Sequence, residues 1–369
     1  MPKTKGGGYA GITLMKNKTT QILSIQSRDG HTLMGKLDLP AQAPVRRLVV
    51  FVNGSGPNTY DNKRDKGDGT CFNFYDLLAQ ELTDRGIGFF RYSARGCSEG
   101  PEPPFYCAIN WEAYQTYEPE TCAGDLEAWI GHLLQDPHLQ GARTMLLGWS
   151  EGTMIAPMVA LRGNVPLAGL LLAGYANGTM EEALDWQQQG NSDLIFYQQY
   201  FEQDGNGGIP RAAFEADPHG VKAALGVAFE ELDLDGDGVL TLADFAQKNA
   251  QSRQDIFRAI EAWDDDWLRE NYPVPLTARW FHAHRRLAPN RETLPKLTLP
   301  IHIFQGCMDA STRVEDTYAI RDAYAALGKT NLTVHLYPKD GHNLGYEQWL
   351  YGQGLPEGLR DIFHTCETL

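Results

Sequence analysis

The run Thr144-Met-Leu-Leu-Gly148-Trp149-Ser150-Glu151-Gly152-Thr-Met-Ile-Ala constrains this chain more than any other stretch. An uncharged apolar segment, a G-x-S-x-G turn and a segment with helical apolar spacing follow one another without a break. Strand, sharp turn and helix in that order form the context in which the motif exposes a nucleophilic serine. Such a turn holds Ser150 in strained backbone. Gly148 and Gly152 are expected at its ends because a β-carbon on either would strike the neighbouring strand or helix. The helix that follows aims its free N-terminal N–H groups at the serine, where negative charge would develop.

The rest of the chain repeats this alternation. Residues 21–27 and 32–38, joined around Asp29-Gly30, read as a hairpin. Apolar runs at 47–53, 88–93, 166–176, 299–306 and 332–338 read as buried strands, with helical patterns at 73–86, 122–135 and 314–328 between them. A mostly parallel sheet covered by helices is the expected fold. Residues 177–296 break the rhythm: they are polar, rich in Gln, Asp, Trp and Arg, and mainly helical in pattern. They read as an insertion between two core strands, forming a cap over the substrate pocket. The division is therefore 1–176 and 297–369 for the core and 177–296 for the cap. With 369 residues, 42% of them hydrophobic, the chain has enough apolar surface for a large core.

A net charge of −15 argues against nucleic acid or an anionic membrane as partner. No run is long and apolar enough to span a bilayer. The basic, Gly-rich start lacks the apolar centre of a signal peptide, so the chain reads as cytoplasmic, with an exported form left open. None of the six cysteines forms a C-x-x-C pair. Cys97, Cys107 and Cys122 crowd one region, where either one disulfide or reduced buried thiols fit.

An activated serine needs a base within hydrogen-bond reach and a carboxylate to orient that base. In this strand order the acid follows a later strand and the histidine the last one. Asp309 lies just after 299–306, in Gly306-Cys-Met-Asp309-Ala-Ser-Thr. His342 lies just after 332–338, in Lys339-Asp340-Gly341-His342-Asn343. Rival histidines at 302 and 335 fall inside strands, and Asp340 is better placed to shape its loop. Two backbone donors would form the oxyanion hole, the N–H of Glu151 and an N–H of Asn53-Gly54-Ser55-Gly56-Pro57, that of Ser55. The predicted partner is a small-molecule acyl substrate, and no organic cofactor is expected.

With these pieces in place, the sequence resembles the α/β-hydrolase superfamily. It is similar to bacterial esterase-like members near the prolyl-oligopeptidase and dienelactone-hydrolase branches. The segments V-F-V-N-G-S-G-P, F-F-R-Y-S-A-R-G-C-S-E-G, L-L-G-W-S-E-G-T-M-I-A-P, G-C-M-D and D-G-H carry the resemblance, over about 1–176 and 297–369. The family usually has His where this chain has Asn53, Asp at Ser93 and His at Trp149. None of these is a triad position. The resemblance implies hydrolysis of an ester, thioester or amide through an acyl-enzyme and names no substrate. Carboxylester cleavage is the leading expectation, with peptidase, thioesterase and acyltransferase chemistry open. A calcium-responsive binding protein on a hydrolase scaffold is the competing class.

That competitor comes from the insertion. Asp233-Leu-Asp235-Gly-Asp237-Gly238-Val239-Leu240-Thr241-Leu-Ala-Asp244 fits an EF-hand loop, with carboxylates at positions 1, 3 and 5, Gly at 6 and an acid at 12. Asp233, Asp235, Asp237, the Val239 carbonyl, Thr241 and Asp244 are the expected ligands of one structural Ca²⁺. Asp244 stands where Glu is usual, and its shorter reach lowers affinity or admits Mg²⁺. Residues 221–232 are expected as the incoming helix, and Asp244 begins the outgoing one. Upstream, 202–213 aligns with this loop, Ile209 with Leu240 and Phe214 with Phe245. It resembles a partner loop without its last acid, metal-free or weak.

Overall fold

Apolar residues alternate along the central strands in a way that leaves neither face of the sheet to water. Val49 and Leu147 bury on one side, Val50 and Leu146 on the other, so each face takes a layer of helices. The computed structural model describes residues 13–15, 18–41, 44–66, 69–201, 207–346, 348 and 352–369. Among these, nine strands build the main sheet: β1 (Thr13–Met15), β2 (Lys18–Gln26), β3 (Thr32–Pro40), β4 (Arg47–Val52), β5 (Gly88–Tyr92), β6 (Arg143–Trp149), β7 (Gly169–Ala173), β8 (Ile301–Gly306) and β9 (Leu332–Tyr337). Their order is β1-β2-β3-β5-β4-β6-β7-β8-β9. The first three run antiparallel to their neighbours, and β5 through β9 run parallel. The expected hairpin and the expected mostly parallel, helix-covered sheet are both present.

Helices α1 (Phe74–Asp84), α2 (Pro119–Leu133), α3 (Gly152–Arg162), α4 (Ser192–Phe201), α5 (Leu242–Ala262), α6 (Ala278–His284), α7 (Val314–Ala326) and α8 (Glu357–Thr368) accompany the sheet. On one face, Leu78 of α1 and Ile362 and Phe363 of α8 pack with Val49, Phe51 and Leu147. On the other, Trp129 of α2, Ile155 of α3 and Ile320 of α7 pack with Val50, Leu146 and Leu170. Burying a side chain of this size contributes roughly 1.5–3 kcal/mol. The same burial fixes the register, because a one-residue slip would turn every such side chain to the wrong face.

Between β7 and β8, the described residues of 177–296 add no strand to the main sheet. Helix α4, helix α5 and the ribbon Ile209–Pro210 with Val239–Leu240 enclose a cluster of Tyr197, Phe201, Ile209, Phe214, Phe229, Leu232, Leu240 and Phe245. The continuous helix expected over 221–232 is not formed. Helix Val221–Leu225 stops at Gly226, which adopts φ 65, and a single 3₁₀ turn, Phe229–Glu231, follows. Gly takes the left-handed cap at little cost, and the break lets Phe229 and Leu232 turn into the aromatic cluster. All six cysteines are free thiols, Cys97 and Cys107 lying on the paired strands Cys97–Glu99 and Cys107–Ile109.

Candidate active site

β6 ends at Trp149 and α3 begins at Gly152, so Ser150 occupies the turn, at φ 57. A non-glycine residue there carries strain of roughly 1–2 kcal/mol, and its neighbours hold it. The Ser150 N–H donates to the Ala173 carbonyl at 2.9 Å. A β-carbon on Gly148 would lie 2.4 Å from the Gly152 carbonyl oxygen, and one on Gly152 would lie 2.2 Å from that of Val52. Both glycines are therefore needed for strand, turn and helix to pack this closely.

Asp309 follows β8 and His342 follows β9, at the same end of the sheet as Ser150. His342 Nδ1 and Asp309 Oδ2 are 2.8 Å apart. The carboxylate is buried and fully engaged. Its Oδ1 accepts from the N–H groups of Ser311 and Thr312 at 2.7 and 2.9 Å, and its Oδ2 also accepts from Thr312 Oγ1 and Gln305 Nε2. Burial pushes the Asp309 carboxyl up, but His342 and these donors outweigh it and hold it below the ordinary carboxylate value. Burial likewise pushes His342 down, and the facing carboxylate more than restores it, to above the ordinary imidazole value. This pair orients the ring and favours its charged form.

Ser150 and His342 line one cavity of about 170 Å³ with Gly54, Ser55, Asn58, Arg64, Trp149 and Tyr346 among its walls. Gly54 packs against the serine: a β-carbon on it would sit 3.2 Å from Ser150 Cβ. Asn58 Nδ2 reaches the carbonyls of Gly54 and Gly56 at 2.8 and 3.1 Å and holds this loop in shape. Each of the three departures from the resembling family has a local partner. Asn53 donates to Tyr92 O and accepts from Tyr75 Oη, both at 2.9 Å. Ser93 Oγ accepts from Tyr60 N–H at 3.0 Å. Trp149 Nε1 donates to the His342 carbonyl.

Sequence reasoning missed two features. Gly174, directly after β7, has φ 61, and a β-carbon on it would lie 2.6 Å from His342 Cε1. The imidazole thus packs on the backbone next to Ala173, which holds Ser150. The second is the buried Glu151 side chain. Its Oε1 accepts from Trp280 Nε1 and His284 Nε2 at 2.9 and 2.8 Å, and its Oε2 from Tyr117 Oη at 2.7 Å. No local pattern signals either, because every partner but Tyr117 lies more than a hundred residues away.

In the insertion, one carboxylate oxygen each from Asp233, Asp235 and Asp237 lies within 4.8 Å of the others. Ca²⁺ holds oxygens at about 2.3–2.6 Å, so these three could share one ion. Asp233 accepts from the N–H groups of Gly236 and Gly238. Asp237 accepts from Val239, and Asp244 from Leu234 and Thr241. The Thr241 hydroxyl donates to Asp244 as well. Ile209 and Leu240, equivalent in the two aligned loops, are direct cross-strand partners. Residues 202–206, the acidic part of the upstream loop, lie outside the described residues.

The comparisons with known proteins agree with this fold. The Alpha/beta hydrolase family pattern matches residues 49–349. A carboxymethylenebutenolidase of Pseudomonas putida is 26% identical over 178 residues, 48% of this chain and 70% of that protein. A thermostable carboxyl esterase from Bacillus coagulans superposes with a TM-score of 0.55 at 17% identity, covering 94% of this chain and 99% of the other. An acylaminoacyl peptidase superposes at 0.51 and 12% identity, covering 94% of this chain and 40% of the peptidase. No helix among the described residues is long and apolar enough to cross a membrane. With a sheet in this strand order and a family match across most of its length, the chain belongs to the Alpha/beta hydrolase family and is a hydrolase.

Proposed function

We propose that the protein is a serine hydrolase that cleaves a small carboxylic ester through an acyl-enzyme. The observation that carries this reading is the Asp309–His342 hydrogen bond at 2.8 Å, beside the cavity that also contains Ser150. His342 takes the Ser150 proton as Oγ attacks the ester carbonyl, then gives it to the departing alcohol. Asp309 fixes the ring with Nδ1–H facing the carboxylate and stabilises the imidazolium. Water repeats the sequence to release the acid.

Two N–H groups receive the oxyanion, those of Glu151 and Ser55. For Ser55 the support is stereochemical. The Gly54 carbonyl is held by Asn58. In a trans peptide the following N–H points the opposite way, while Gly54 itself abuts Ser150. The helices of 177–296 would form the cap: Trp280 and His284 of that segment reach the buried side chain of Glu151, next to Ser150, which Tyr117 of the core also holds.

One Ca²⁺ would be held by Asp233, Asp235, Asp237, the Val239 carbonyl, Thr241 and Asp244. The spacing of the three carboxylates and the Ile209–Leu240 pairing support the fit. When bound, it neutralises the clustered charge and stiffens the cap, and no chemical step passes through it. A fluorophosphonate that labels Ser150, with a p-nitrophenyl ester chain-length panel beside aminoacyl-naphthylamide and acyl-CoA substrates, tests the reading. Labelling without ester turnover would move it to another acyl-transfer class. Absence of labelling on folded protein would overturn it.

A further inference from the structure

Three side chains of the insertion grip the backbone of the acid loop. Gln199 Nε2 donates to the Met308 carbonyl at 2.6 Å, Ser192 Oγ to the Ala310 carbonyl at 2.6 Å, and Gln187 Nε2 to the Ser311 carbonyl at 2.7 Å. The residues whose carbonyls are held flank Asp309 on both sides. Gln199 also reaches the base loop: its amide atoms lie 3.4 Å from where a β-carbon on Gly341 would stand, directly before His342. The two loops are joined there as well, by Met308 N–H to the Asp340 carbonyl at 3.0 Å.

The segment that supplies these groups is itself fixed. Ser192 and Gln199 lie two helical turns apart on one face of α4, while Tyr197 and Phe201 are buried in the aromatic cluster of the insertion. Asn249 of α5 donates to Asp193 at 2.6 Å. A wide turn at Gln187–Asn191, with Gly190 at φ 92, kinks the helix just before α4. A β-carbon on Gly190 would lie 2.6 Å from the Ala246 nitrogen of α5. The kink is pressed against α5 and brings Gln187 to the same loop as Ser192.

We infer that Gln187, Ser192 and Gln199 are positioning residues of the catalytic site, a strut through which the insertion sets the Asp309–His342 geometry. The inference rests on the Ser150–His342–Asp309 reading above. Three donors of its own loop, the N–H groups of Ser311 and Thr312 and the Thr312 hydroxyl, would place the carboxylate well if that loop were rigid. Instead, the outward carbonyls at 308, 310 and 311 all depend on donors from more than a hundred residues away. Removing a donor leaves a half-buried carbonyl without its partner and lets the loop relax. Displacements of an ångström at a reacting group cost rate far more than they cost binding.

The test compares Gln199→Leu, Ser192→Ala and their double variant with Ser192→Thr, which keeps the hydroxyl, using a small p-nitrophenyl ester. The double variant is expected to lose about 10- to 100-fold in kcat with KM within about two-fold. The acidic limb of its kcat/KM profile moves down by about half a pH unit, because a slackened carboxylate raises His342 less. Ser192→Thr should recover most of the loss seen in Ser192→Ala. The deshielded Nδ1 proton signal of His342 should shift upfield in the double variant. An unchanged kcat, pH limb and proton signal in the folded double variant would overturn the strut. So would a loss of activity that tracks thermal stability alone, with Ser192→Thr no better than Ser192→Ala. Ser150→Ala and Asp309→Asn, assayed alongside, separate the two readings: if they are inactive while the strut variants are normal, only the strut falls.

Discussion

Trp149 donates its indole N–H to the main-chain carbonyl of His342 at 3.1 Å, so the residue before Ser150 tethers the backbone of His342. The ring lies among Phe51 and Phe74, which keeps it from swinging away. The resembling family usually carries His at this position, and the larger indole here spans from the turn to the base loop.

Ser150→Ala and His342→Ala should each lower kcat by about 10⁴-fold or more. The folded Ser150→Ala protein should also fail to react with a fluorophosphonate. Turnover near that of the native enzyme in either variant, measured on one activated ester, would remove the residue from its assigned role.

Because Asp309 holds His342 above the ordinary imidazole value, and the base must be neutral to accept a proton, kcat/KM should fall as pH drops through that raised pKa. The expected profile rises from about pH 6 to a plateau near 8. Asp309→Asn removes the charge that raises the pKa, so the limb should shift to lower pH while kcat falls about 10³- to 10⁴-fold. A native profile flat down to about pH 4.5 would contradict a histidine base.

Gly174→Ala is a small change with a large expected effect. Its β-carbon would lie 2.6 and 2.8 Å from Cε1 and Nδ1 of His342, at a backbone φ of 61. The ring must move, and kcat should fall about 10²-fold, with a stability loss of roughly 1–2 kcal/mol from the left-handed backbone. Steady-state kinetics and urea unfolding report the two separately. Native kcat would show that the ring has room.

Glu151→Ala would leave Tyr117 Oη, Trp280 Nε1 and His284 Nε2 facing a buried void. Unpaired buried donors cost roughly 1–3 kcal/mol each, and relaxation recovers part of that. A loss of about 3–5 kcal/mol is expected, read as a lower urea midpoint at constant slope. A shift below about 1 kcal/mol would mean that the network adds little to stability.

Melting temperature should rise with free Ca²⁺, since an ion that binds only the folded cap stabilises it by about 2.7 kcal/mol at a hundred times its dissociation constant. Asp233→Ala with Asp235→Ala should abolish the rise. Chelation should alter KM on larger esters more than kcat on the smallest. Calorimetry without a binding heat, with Tm the same in chelator, would eliminate the metal site.

The fold was legible because its signals are local. Apolar runs such as Val49 to Val52 and Leu170 to Leu172 are bounded by turns, and each lies in a strand buried on both faces. Ser150, Asp309 and His342 could be singled out as candidates from a motif and from chain order, since each follows a recognisable strand. The expected helix over 221–232 failed at Gly226, where apolar spacing alone hid a left-handed stop. Gly174 against His342, and Gln199 against Met308, were not legible at all. Each is a contact between segments whose relative placement only the folded sheet decides, and neither Gly nor Gln carries a spacing signal.

Glu151 also bears on how this enzyme could be rebuilt. Its N–H belongs to the chemistry assigned here, while its carboxylate is held by Tyr117 from the core and by Trp280 and His284 from the insertion. Core and insertion are therefore not interchangeable modules. A graft that replaced 177–296 with the insertion of another hydrolase would strand a buried carboxylate one residue from Ser150. It would have to bring an indole and an imidazole to the same place, or exchange residue 151 in the same step. Residue 151 and the insertion would have to be changed together in any such redesign.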